Sequence, residues 1–391
     1  MSGHRGAYLQ WMTEGLAERG FTITIMTFPE SLKHPSLQKF TGEIEDNVTV
    51  IPGKYANSIP NNYDGAAASL IRREFAYWKI FRKWCQWQRE RARVDAVLLP
   101  YFDYCLYAVA LLGTPFGKLP FVGVAMRPSF HYPKMGIISP SNSLGAVKNV
   151  LFLRLLGNKH LKHLLSIDEP LIEYVRDQNK AASEKIVFLP EPSDLEELID
   201  ANEAKQKLGV NLDQKLILVY GALSSRKGVI ELLRSVSDFA YQKNVGVVLA
   251  GKIQDELLSH LDAHWIKALQ QDGRLIILNN FVSEEEEIIL FSAADIVWLG
   301  YREHYTASGV LVQAACAGLP VIACKEGLIG WQTRRHKLGI DLNPTDNISI
   351  AEAIAKLTEE EDFASDTINS RKGFENRDIS RSQDILANCF E

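Results

Sequence analysis

Short apolar runs alternate with helix-length amphipathic segments along nearly the whole chain. This alternation is typical of parallel sheets that are covered by helices. The predicted strands of the first half are 21–27, 94–100, 120–125, 163–167 and 185–189, and those of the second half are 215–220, 245–250, 275–278, 295–299 and 320–323. Two such series predict an α/β fold with two doubly wound parallel-sheet domains.

The predicted boundary between the domains lies near residue 190. Two prolines end a strand there, and Ser193 or Asp194 can cap the helix that follows. We assign residues 1–190 to a first domain and 191–391 to a second, and leave open whether the last helix returns to the first domain. In open sheets of this class ligands bind at the carboxyl ends of the strands, so the two domains are expected to face a ligand-binding cleft.

Composition limits the class of protein. With 391 residues, of which 46% are hydrophobic and 23% charged, the chain is long enough for two globular domains. No apolar run approaches the roughly 18 residues of a membrane-spanning helix, and the first residues do not read as a signal peptide. The five cysteines are scattered without a C-x-x-C pair, which argues against a disulfide framework or a zinc site. These features predict a cytoplasmic protein.

Charge is distributed unevenly between the halves. The net charge is −5, but residues 1–190 contain 23 Lys and Arg against 16 Asp and Glu, whereas residues 191–391 contain 20 against 32. The first half is therefore expected to face an anionic partner.

The chain opens on a loop, Gly3-His4-Arg5-Gly6, followed by a predicted helix over 7–19 that Gly20 ends. Domains of this class normally begin with a strand, then a glycine loop and a helix. We therefore expect the natural start to lie about ten residues upstream, roughly the length of a strand with its lead-in. An upstream reading frame that encodes no strand would contradict this expectation.

A small-residue loop with two cations follows the strand that ends at Tyr220. The loop begins at Gly221, carries Arg226 and Lys227, and leads into an amphipathic helix after Gly228. Backbone N–H groups and a lysine at the positive end of a helix dipole suit a diphosphate. The alternative is a solvated Arg-Lys pair in an ordinary turn.

The arrangement recurs after the predicted strand 295–299. A polar loop carrying Glu303 and His304 leads to Ser308, an N-cap candidate, and Gly309 lets a ligand approach the first N–H groups of the helix. This pattern predicts a second anion-binding helix start. The alternative is a tightly packed helix–strand unit without a ligand.

The two segments, strand-G-x-L-x-x-x-K-G-helix and S-G-V-L-V-Q-A-A-C-A-G-L-P-V-I-A, together resemble the C-terminal domain of GT-B glycosyltransferases. The likeness is greatest to the family-4-like retaining enzymes, the glycosyl transferases group 1, and extends in order over nearly the whole chain. It implies a GT-B fold and transfer of a sugar, with retention, from a nucleotide-diphosphate sugar to a glycan or lipid-linked acceptor. It implies no metal and no cofactor besides the nucleotide-sugar substrate.

The resemblance also implies roles for individual residues. Lys227 matches the diphosphate-binding lysine, and we expect Lys227 and Arg226 to stabilise the leaving nucleoside diphosphate as catalytic residues. Ser308 and Gly309 match the helix start near the phosphates, and Gln313 falls where the family has a glutamate for the ribose hydroxyls. The other predicted donor-binding residues are Gly3, His4, Gly221, Glu303 and His304.

Three positions depart from the family pattern. Ala222 replaces an arginine, for which Arg226 is a candidate substitute, and Tyr305 replaces the first glutamate of the E-x7-E pattern. Gln313 replaces the second, and a neutral amide binds hydroxyls more weakly than a carboxylate. These departures leave open a catalytically inactive relative that scaffolds glycan assembly. A third alternative is a nucleotide-sugar epimerase on the same fold.

In the first domain, the family's histidine that follows the strand equivalent to 120–125 falls at about 126–127. Arg127, our third predicted catalytic residue, or His131 would then face the donor sugar. The alternative for each is a structural or solvated side chain.

Residues 70–93 carry eight Arg or Lys interleaved with aromatic residues. On a helix this composition suits peripheral contact with an anionic membrane, where the acceptor would be a lipid-linked sugar or a growing polysaccharide. It equally describes a surface helix that buries its aromatic residues. No nucleic-acid-binding module accompanies the segment, so no nucleic-acid partner is predicted.

Overall fold

Parallel sheets form in both halves of the chain in the computed structural model. The structure describes residues 5–42, 47–53, 67–141, 143–193, 195, 198–238, 244–359, 374 and 377–391. The chain divides into two units. The first comprises Met1–Met135, Ser141–Pro190 and Ile379–Glu391, and the second comprises Gly136–Pro140 and Glu191–Asp378.

The first unit contains two parallel sheets. A two-stranded sheet pairs β1 with β2, and a four-stranded sheet has the order β3-β4-β5-β6. The strands are β1 Ile23–Thr27, β2 Val48–Pro52, β3 Val97–Leu99, β4 Phe121–Ala125, β5 Leu161–Ser166 and β6 Ile186–Phe188. The central strand β4 is apolar and buried along its whole length, as expected for a parallel strand covered on both faces.

Helices pack around these two sheets. They are α1 Arg5–Glu18, α2 Pro35–Gly42, α3 Ala67–Arg89, α4 Leu106–Leu112, α5 Gly145–Leu156, α6 Glu169–Gln178, α7 Lys180–Ser183 and the C-terminal helix Ile379–Asn388. The C-terminal helix lies against α1, where the Gln383 side chain donates to the Trp11 carbonyl over 3.0 Å. Arg19, just after α1, forms an ion pair with Asp384 of the same helix.

The second unit is built on one six-stranded parallel sheet with the order β12-β11-β10-β7-β8-β9. The strands are β7 Lys215–Tyr220, β8 Val245–Ala250, β9 Leu275–Leu278, β10 Ile296–Leu299, β11 Val321–Cys324 and β12 Gly339–Leu342. The helices are α8 Ala201–Leu208, α9 Val229–Asp238, α10 Asp255–Leu261, α11 His264–Gln271, α12 Glu284–Ala293, α13 Gly309–Ala317, α14 Gly327–Arg335 and α15 Asn347–Glu359. One apolar core lies on each face of the sheet.

The strand order of the second unit places its two loop motifs side by side. The chain runs outward from β7 through β8 and β9, returns to β10 beside β7, and then runs outward in the other direction. The carboxyl ends of β7 and β10 therefore form the topological switch point, where open sheets of this class bind ligands. The loops that begin at Gly221 and Gly300 both leave the sheet there.

All ten predicted strands are confirmed. Those at 215–220, 245–250 and 275–278 have the predicted ends, and the ends of the others differ by at most three residues. Two strands were missed, Val48–Pro52 and Gly339–Leu342. Both are edge strands that are only partly buried.

Helix α3 covers most of the basic aromatic segment. Trp84 is buried, and the Trp78 indole donates to the Gly113 carbonyl over 2.8 Å. Tyr77 and Phe81 pack against the core of the first unit. The exposed cations are Arg72, Lys79, Arg82, Lys83, Arg89, Arg91 and Arg93. These aromatic side chains lie inward and the charges outward, as in the surface-helix alternative. No helix in the described part of the chain combines the length and apolarity needed to span a bilayer.

Candidate functional site

The ammonium group of Lys227 is buried at the switch point of the second unit. Lys227 lies in a 3-10 turn, Ser225–Lys227, directly before α9, and the residue is only 8% exposed. Its Nζ donates to the Tyr220 carbonyl and to the Tyr301 hydroxyl, the latter over 3.2 Å, and lies 4.9 Å from the centre of the Tyr301 ring. The acceptors are neutral, so this cation has no counter-charge among the hydrogen-bond partners that hold it.

The backbone around Lys227 is held by the neighbouring strand β10. The indole of Trp298, a fully buried residue, donates to the Lys227 carbonyl over 2.7 Å. Gly228 adopts the left-handed conformation with φ 64°, and a Cβ at this position would lie 2.3 Å from the Gly300 carbonyl oxygen. Glycine is therefore required both by the conformation and by the close approach of the two chain segments.

Arg302 ties the two loops together. Its backbone N–H donates to the Arg226 carbonyl over 2.8 Å. Its guanidinium donates to the Ser225 carbonyl over 2.9 Å and to Glu231 of α9 over 2.7 Å. Arg302 therefore orients the turn that carries both predicted catalytic cations of the second unit, a role that the sequence analysis did not assign to it.

His304 and Arg226 form a pair at the exposed side of the site. Arg226 Nη1 lies 3.2 Å from His304 Nδ1, and His304 Nε2 lies 3.1 Å from the Ala307 carbonyl. A guanidinium only donates, so Nδ1 accepts and the imidazole proton resides on Nε2. Burial lowers the pKa of His304, and the nearby cations Arg226 and Lys227 lower it further. His304 is therefore neutral at pH 7 and supports Arg226 as an acceptor.

Glu303 and Tyr305 flank this histidine. Glu303 is exposed and has a positive φ of 53°, uncommon for a residue other than glycine. The side chain of Tyr305 is hydrogen-bonded to Glu326, the N-cap residue of α14. A carboxylate from another loop thus lies beside the position at which the family pattern predicts a glutamate.

Ser308 and Gly309 mark the start of α13, as predicted. Ser308 is the N-cap residue, with extended backbone angles, and its side chain is buried. The hydroxyl makes no capping hydrogen bond, so the expected side-chain cap is absent. The start of the helix thus lacks the side-chain acceptor that usually satisfies one of its first N–H groups.

Gln313 is bound to a carboxylate that the sequence analysis overlooked. Its Nε2 donates to Glu287 Oε1 over 2.5 Å. Glu287 lies in the first turn of α12 and is also hydrogen-bonded to the side chain of Tyr220, the last residue of β7. Burial is the largest cause of the raised pKa of the Tyr220 hydroxyl, and the Glu287 carboxylate raises that pKa further. No local pattern marks Glu287, one of four successive glutamates.

Gly221 and Ala222 form the start of the loop after β7. The Gly221 N–H donates to the Ala250 carbonyl over 2.9 Å, and a Cβ at Gly221 would lie 3.4 Å from Lys227 Nζ. The small residue therefore leaves space beside the ammonium. Ala222 and Arg226 are both exposed on this loop.

The first unit places Arg127 after β4 in an exposed position. Its backbone N–H and that of Met126 each donate to Asp103 over 2.9 Å. His131 is fully buried, with Nε2 3.2 Å from Asp168 Oδ1, which matches the structural alternative. Gly3 and His4, predicted to bind the donor, lie outside the described residues.

Glu74 of α3 is a half-buried residue whose carboxyl group links helices of the first unit. It accepts hydrogen bonds from the backbone N–H groups of Ala108, over 2.9 Å, and Tyr107 in the first turn of α4. Burial raises its pKa to about 7, and the nearby Asp103 contributes in the same direction. The folded state holds this proton more tightly than the unfolded chain does. The contribution of Glu74 to stability is therefore complete below its ordinary pKa of 4.5 and is lost as the pH rises towards 7.

Glu74→Gln is expected to stabilise the protein at pH 8 by roughly 1–3 kcal/mol and to change stability little at pH 4.5, since one pKa unit corresponds to about 1.4 kcal/mol. Denaturant unfolding at both pH values measures this difference. Glu90→Gln, at an exposed carboxylate just after the same helix, is the control and should show no such pH dependence. An equal effect of Glu74→Gln at both pH values would contradict the prediction.

Comparison with known proteins agrees with this geometry. Residues 200–374, which contain the whole site of the second unit, match the family model described as Glycosyl transferases group 1. This region is therefore similar to the group 1 glycosyltransferases. Over 171 residues the chain is 25% identical to an uncharacterized glycosyltransferase of Methanocaldococcus jannaschii. The matched part is 43% of this chain and spans 42% of that relative's length.

Solved glycosyltransferase structures resemble both units of the chain. Sucrose-phosphate synthase from Thermosynechococcus elongatus has a TM-score of 0.65 and 14% identity, covering 99% of this chain and 92% of its own. HepE of Anabaena in complex with UDP has a TM-score of 0.64 and 16% identity. The match covers 99% of this chain and 95% of the HepE chain. WaaG, a glycosyltransferase involved in lipopolysaccharide biosynthesis, has a TM-score of 0.61 and 15% identity. The match covers 98% of this chain and 94% of the WaaG chain. At these identities the likeness shows the fold alone, and that fold is GT-B, as predicted.

Proposed function

We propose that this protein transfers a sugar from a nucleoside-diphosphate sugar to a glycan or lipid-linked acceptor, with retention of anomeric configuration. The observation that carries the proposal is the buried ammonium of Lys227 at the switch point of the second unit, next to Arg226 on the same turn. Solved structures of the GT-B relative HepE contain UDP or UDP-glucose, which supports a nucleotide-sugar donor.

The proposed chemistry depends on charge that develops as the donor breaks. When the bond between the sugar and the diphosphate breaks, negative charge accumulates on the departing phosphate oxygens. Lys227 and Arg226 offset this charge, and preorganised cations in a partly desolvated site are far more effective than solvated ones. Neutral His304 holds Arg226 without competing for the anion. This scheme assigns the stabilisation of the leaving group to side chains and needs no metal ion.

Two measurements test this proposal, first of nucleotide binding and then of turnover. Thermal-shift titration with UDP, GDP and ADP should show stabilisation by one of them, because a ligand that binds only the folded state raises the melting temperature. The corresponding nucleotide sugars should then release nucleoside diphosphate in the presence of EDTA, with faster release when acceptor is added. NMR of the product reports the anomeric configuration. No stabilisation by any nucleotide would overturn the proposal.

A catalytically inactive relative is the second candidate. Ala222 leaves its position without a cation, and Tyr305 and Gln313 replace two carboxylates. A non-catalytic scaffold would retain nucleotide binding but would not turn over any nucleotide sugar with any acceptor.

For the acceptor side, we propose a peripheral contact between the exposed cations of α3 and anionic lipid at the cytoplasmic face of a membrane. The cations point outward while the aromatic residues pack inward, so the contact is electrostatic and falls with salt. The excess positive charge of residues 1–190 acts in the same direction.

Flotation with lipid vesicles tests this contact. The protein should float with vesicles that contain phosphatidylglycerol and remain at the bottom with pure phosphatidylcholine. Replacing Arg82, Lys83 and Arg89 with Gln should abolish flotation. The matched control replaces three exposed lysines of the second unit, Lys207, Lys267 and Lys337, with Gln and should leave flotation unchanged. Wild-type protein that stays at the bottom with both vesicles would refute the contact.

A further inference from the structure

Helices α4 and α5 of the first unit expose a group of apolar side chains. Among the described residues, five of the eleven large apolar side chains that are exposed lie on these two helices or at the N-cap of α5. They are Leu111, Leu112, Leu144, Val147 and Val150. The other six lie on six different helices or loops. Single exposed apolar residues are ordinary, whereas several on one surface mark an interaction site.

The two helices run side by side in the same direction. Near their starts, Glu74 accepts from the first turn of α4 and lies within electrostatic reach of Lys148 in the first turn of α5. At their ends, Gly113 after α4 and Arg154 of α5 line the same cavity. The five exposed apolar side chains therefore belong to one surface, which we call the α4–α5 surface.

Helix α5 is apolar on both of its faces. Phe152 and Leu155 on its inner face are buried in the core of the first unit. Val147 and Val150 on its outer face are 55% and 64% exposed, and only three of the 12 residues of the helix carry polar side chains. A helix that is apolar all round is usually covered all round. The outer face of α5 is therefore suited to contact with an apolar partner.

The charge around this surface is of one sign. Residues 104–167 contain seven Lys and Arg and no Asp or Glu. The basic helix α3 lies next to α4, because the Trp78 indole donates to the carbonyl of Gly113, the C-cap of α4. Two copies that faced each other through this surface would bring like charges together. An anionic bilayer instead offers opposite charge at its surface and apolar chains beneath it.

We propose that the α4–α5 surface inserts its apolar side chains into the interfacial layer of an anionic membrane, beside the cations of α3. The inference rests on the proposed function, since it adds apolar insertion to the electrostatic contact proposed for the acceptor side. An interfacial helix lies in the membrane plane with its apolar side chains about 5–10 Å deep in the boundary between headgroups and acyl chains. Apolar burial and electrostatic attraction then contribute together to binding.

Partition into vesicles of equal parts phosphatidylglycerol and phosphatidylcholine tests the insertion with the full-length protein. The double variant Val147→Gln, Val150→Gln removes two apolar side chains without changing the charge, and should lower the partition coefficient about tenfold or more. Val150→Trp should raise the coefficient severalfold instead, because tryptophan favours the membrane interface. Melting temperatures without vesicles show whether each variant is folded.

The double variant Leu258→Gln, Ile348→Gln is the matched control. Leu258 and Ile348 are exposed apolar residues on helices of the second unit, so this variant removes the same kind of side chain outside the α4–α5 surface. Its partition coefficient should equal that of the wild type. A loss as large as that of the double valine variant would overturn the inference.

The outcomes separate this inference from the proposals on which it rests. If the folded double valine variant partitions like the wild type, the α4–α5 surface does not insert, while the contact of α3 stands. If the wild type binds no vesicles, both membrane contacts fail, and nucleotide binding and turnover still decide the sugar transfer. A wild-type dimer in sedimentation equilibrium that the double valine variant dissociates would assign the surface to a second copy and overturn the inference.

Discussion

Replacing Lys227 with Met is expected to lower nucleotide-sugar turnover at least a hundredfold and to abolish stabilisation by the nucleoside diphosphate. Methionine keeps much of the side-chain volume between Tyr220 and Tyr301 but removes the ammonium that both residues bind. Loss of one preorganised group that stabilises developing charge costs about 10²–10³ in turnover. Thermal-shift titration and release of nucleoside diphosphate measure the two effects.

Lys252→Met is the matched control for this substitution. Lys252 lies just beyond β8, the neighbouring strand, at the same edge of the sheet, but its side chain is exposed. The control should bind and turn over the nucleotide sugar like the wild type. If Lys227→Met melts normally without ligand and still binds the nucleotide with wild-type affinity, Lys227 does not hold the diphosphate.

Gly228→Ala is expected to destabilise the protein by roughly 2–4 kcal/mol. The left-handed conformation itself costs an L-residue about 1–2 kcal/mol. The added Cβ would also lie 2.3 Å from the Gly300 carbonyl oxygen, so the turn with Lys227 must move away from β10. Because that movement displaces the Lys227 carbonyl from the Trp298 indole, we also expect weaker nucleotide binding. Denaturant unfolding measures the change in stability.

The control separates the two causes of this destabilisation. Gly209, at the end of α8, has nearly the same backbone conformation, with φ 70° against 64°, but a Cβ there meets no atom within 4 Å. Gly209→Ala should therefore cost only the conformational part, about 1–2 kcal/mol, and should leave nucleotide binding unchanged. Equal destabilisation by the two substitutions would show that the approach of Gly300 contributes nothing.

Local sequence patterns were sufficient to predict much of this fold. The apolar runs that became β7 and β8 are buried over most or all of their length, and burial on both faces leaves a continuous apolar signal in the sequence. Gly318 ends α13 in the left-handed conformation, a position at which glycine is the usual residue. The turn with Lys227 was visible for a similar reason, since its residues are contiguous.

Long-range contacts were not predictable in this way. Val48–Pro52 forms a strand by pairing with β1, a contact that the local sequence does not show. The inward orientation of the α3 aromatic residues depends on which face of the helix meets the first unit, and composition alone left both alternatives open. The role of Arg302 also depends on the pairing of β10 with β7.

By itself the sequence determined the two series of strands, the loop with Lys227 and the start of α13 at Gly309, because each depends on residues close together in the chain. Only the tertiary structure brought Glu287 to Gln313 and Glu326 to Tyr305, at the two positions where the expected carboxylates are absent. In both cases the order of strands in the sheet decides which helices and loops become neighbours. A side chain on one element can therefore lie beside a position on another without any sign of it in the local sequence.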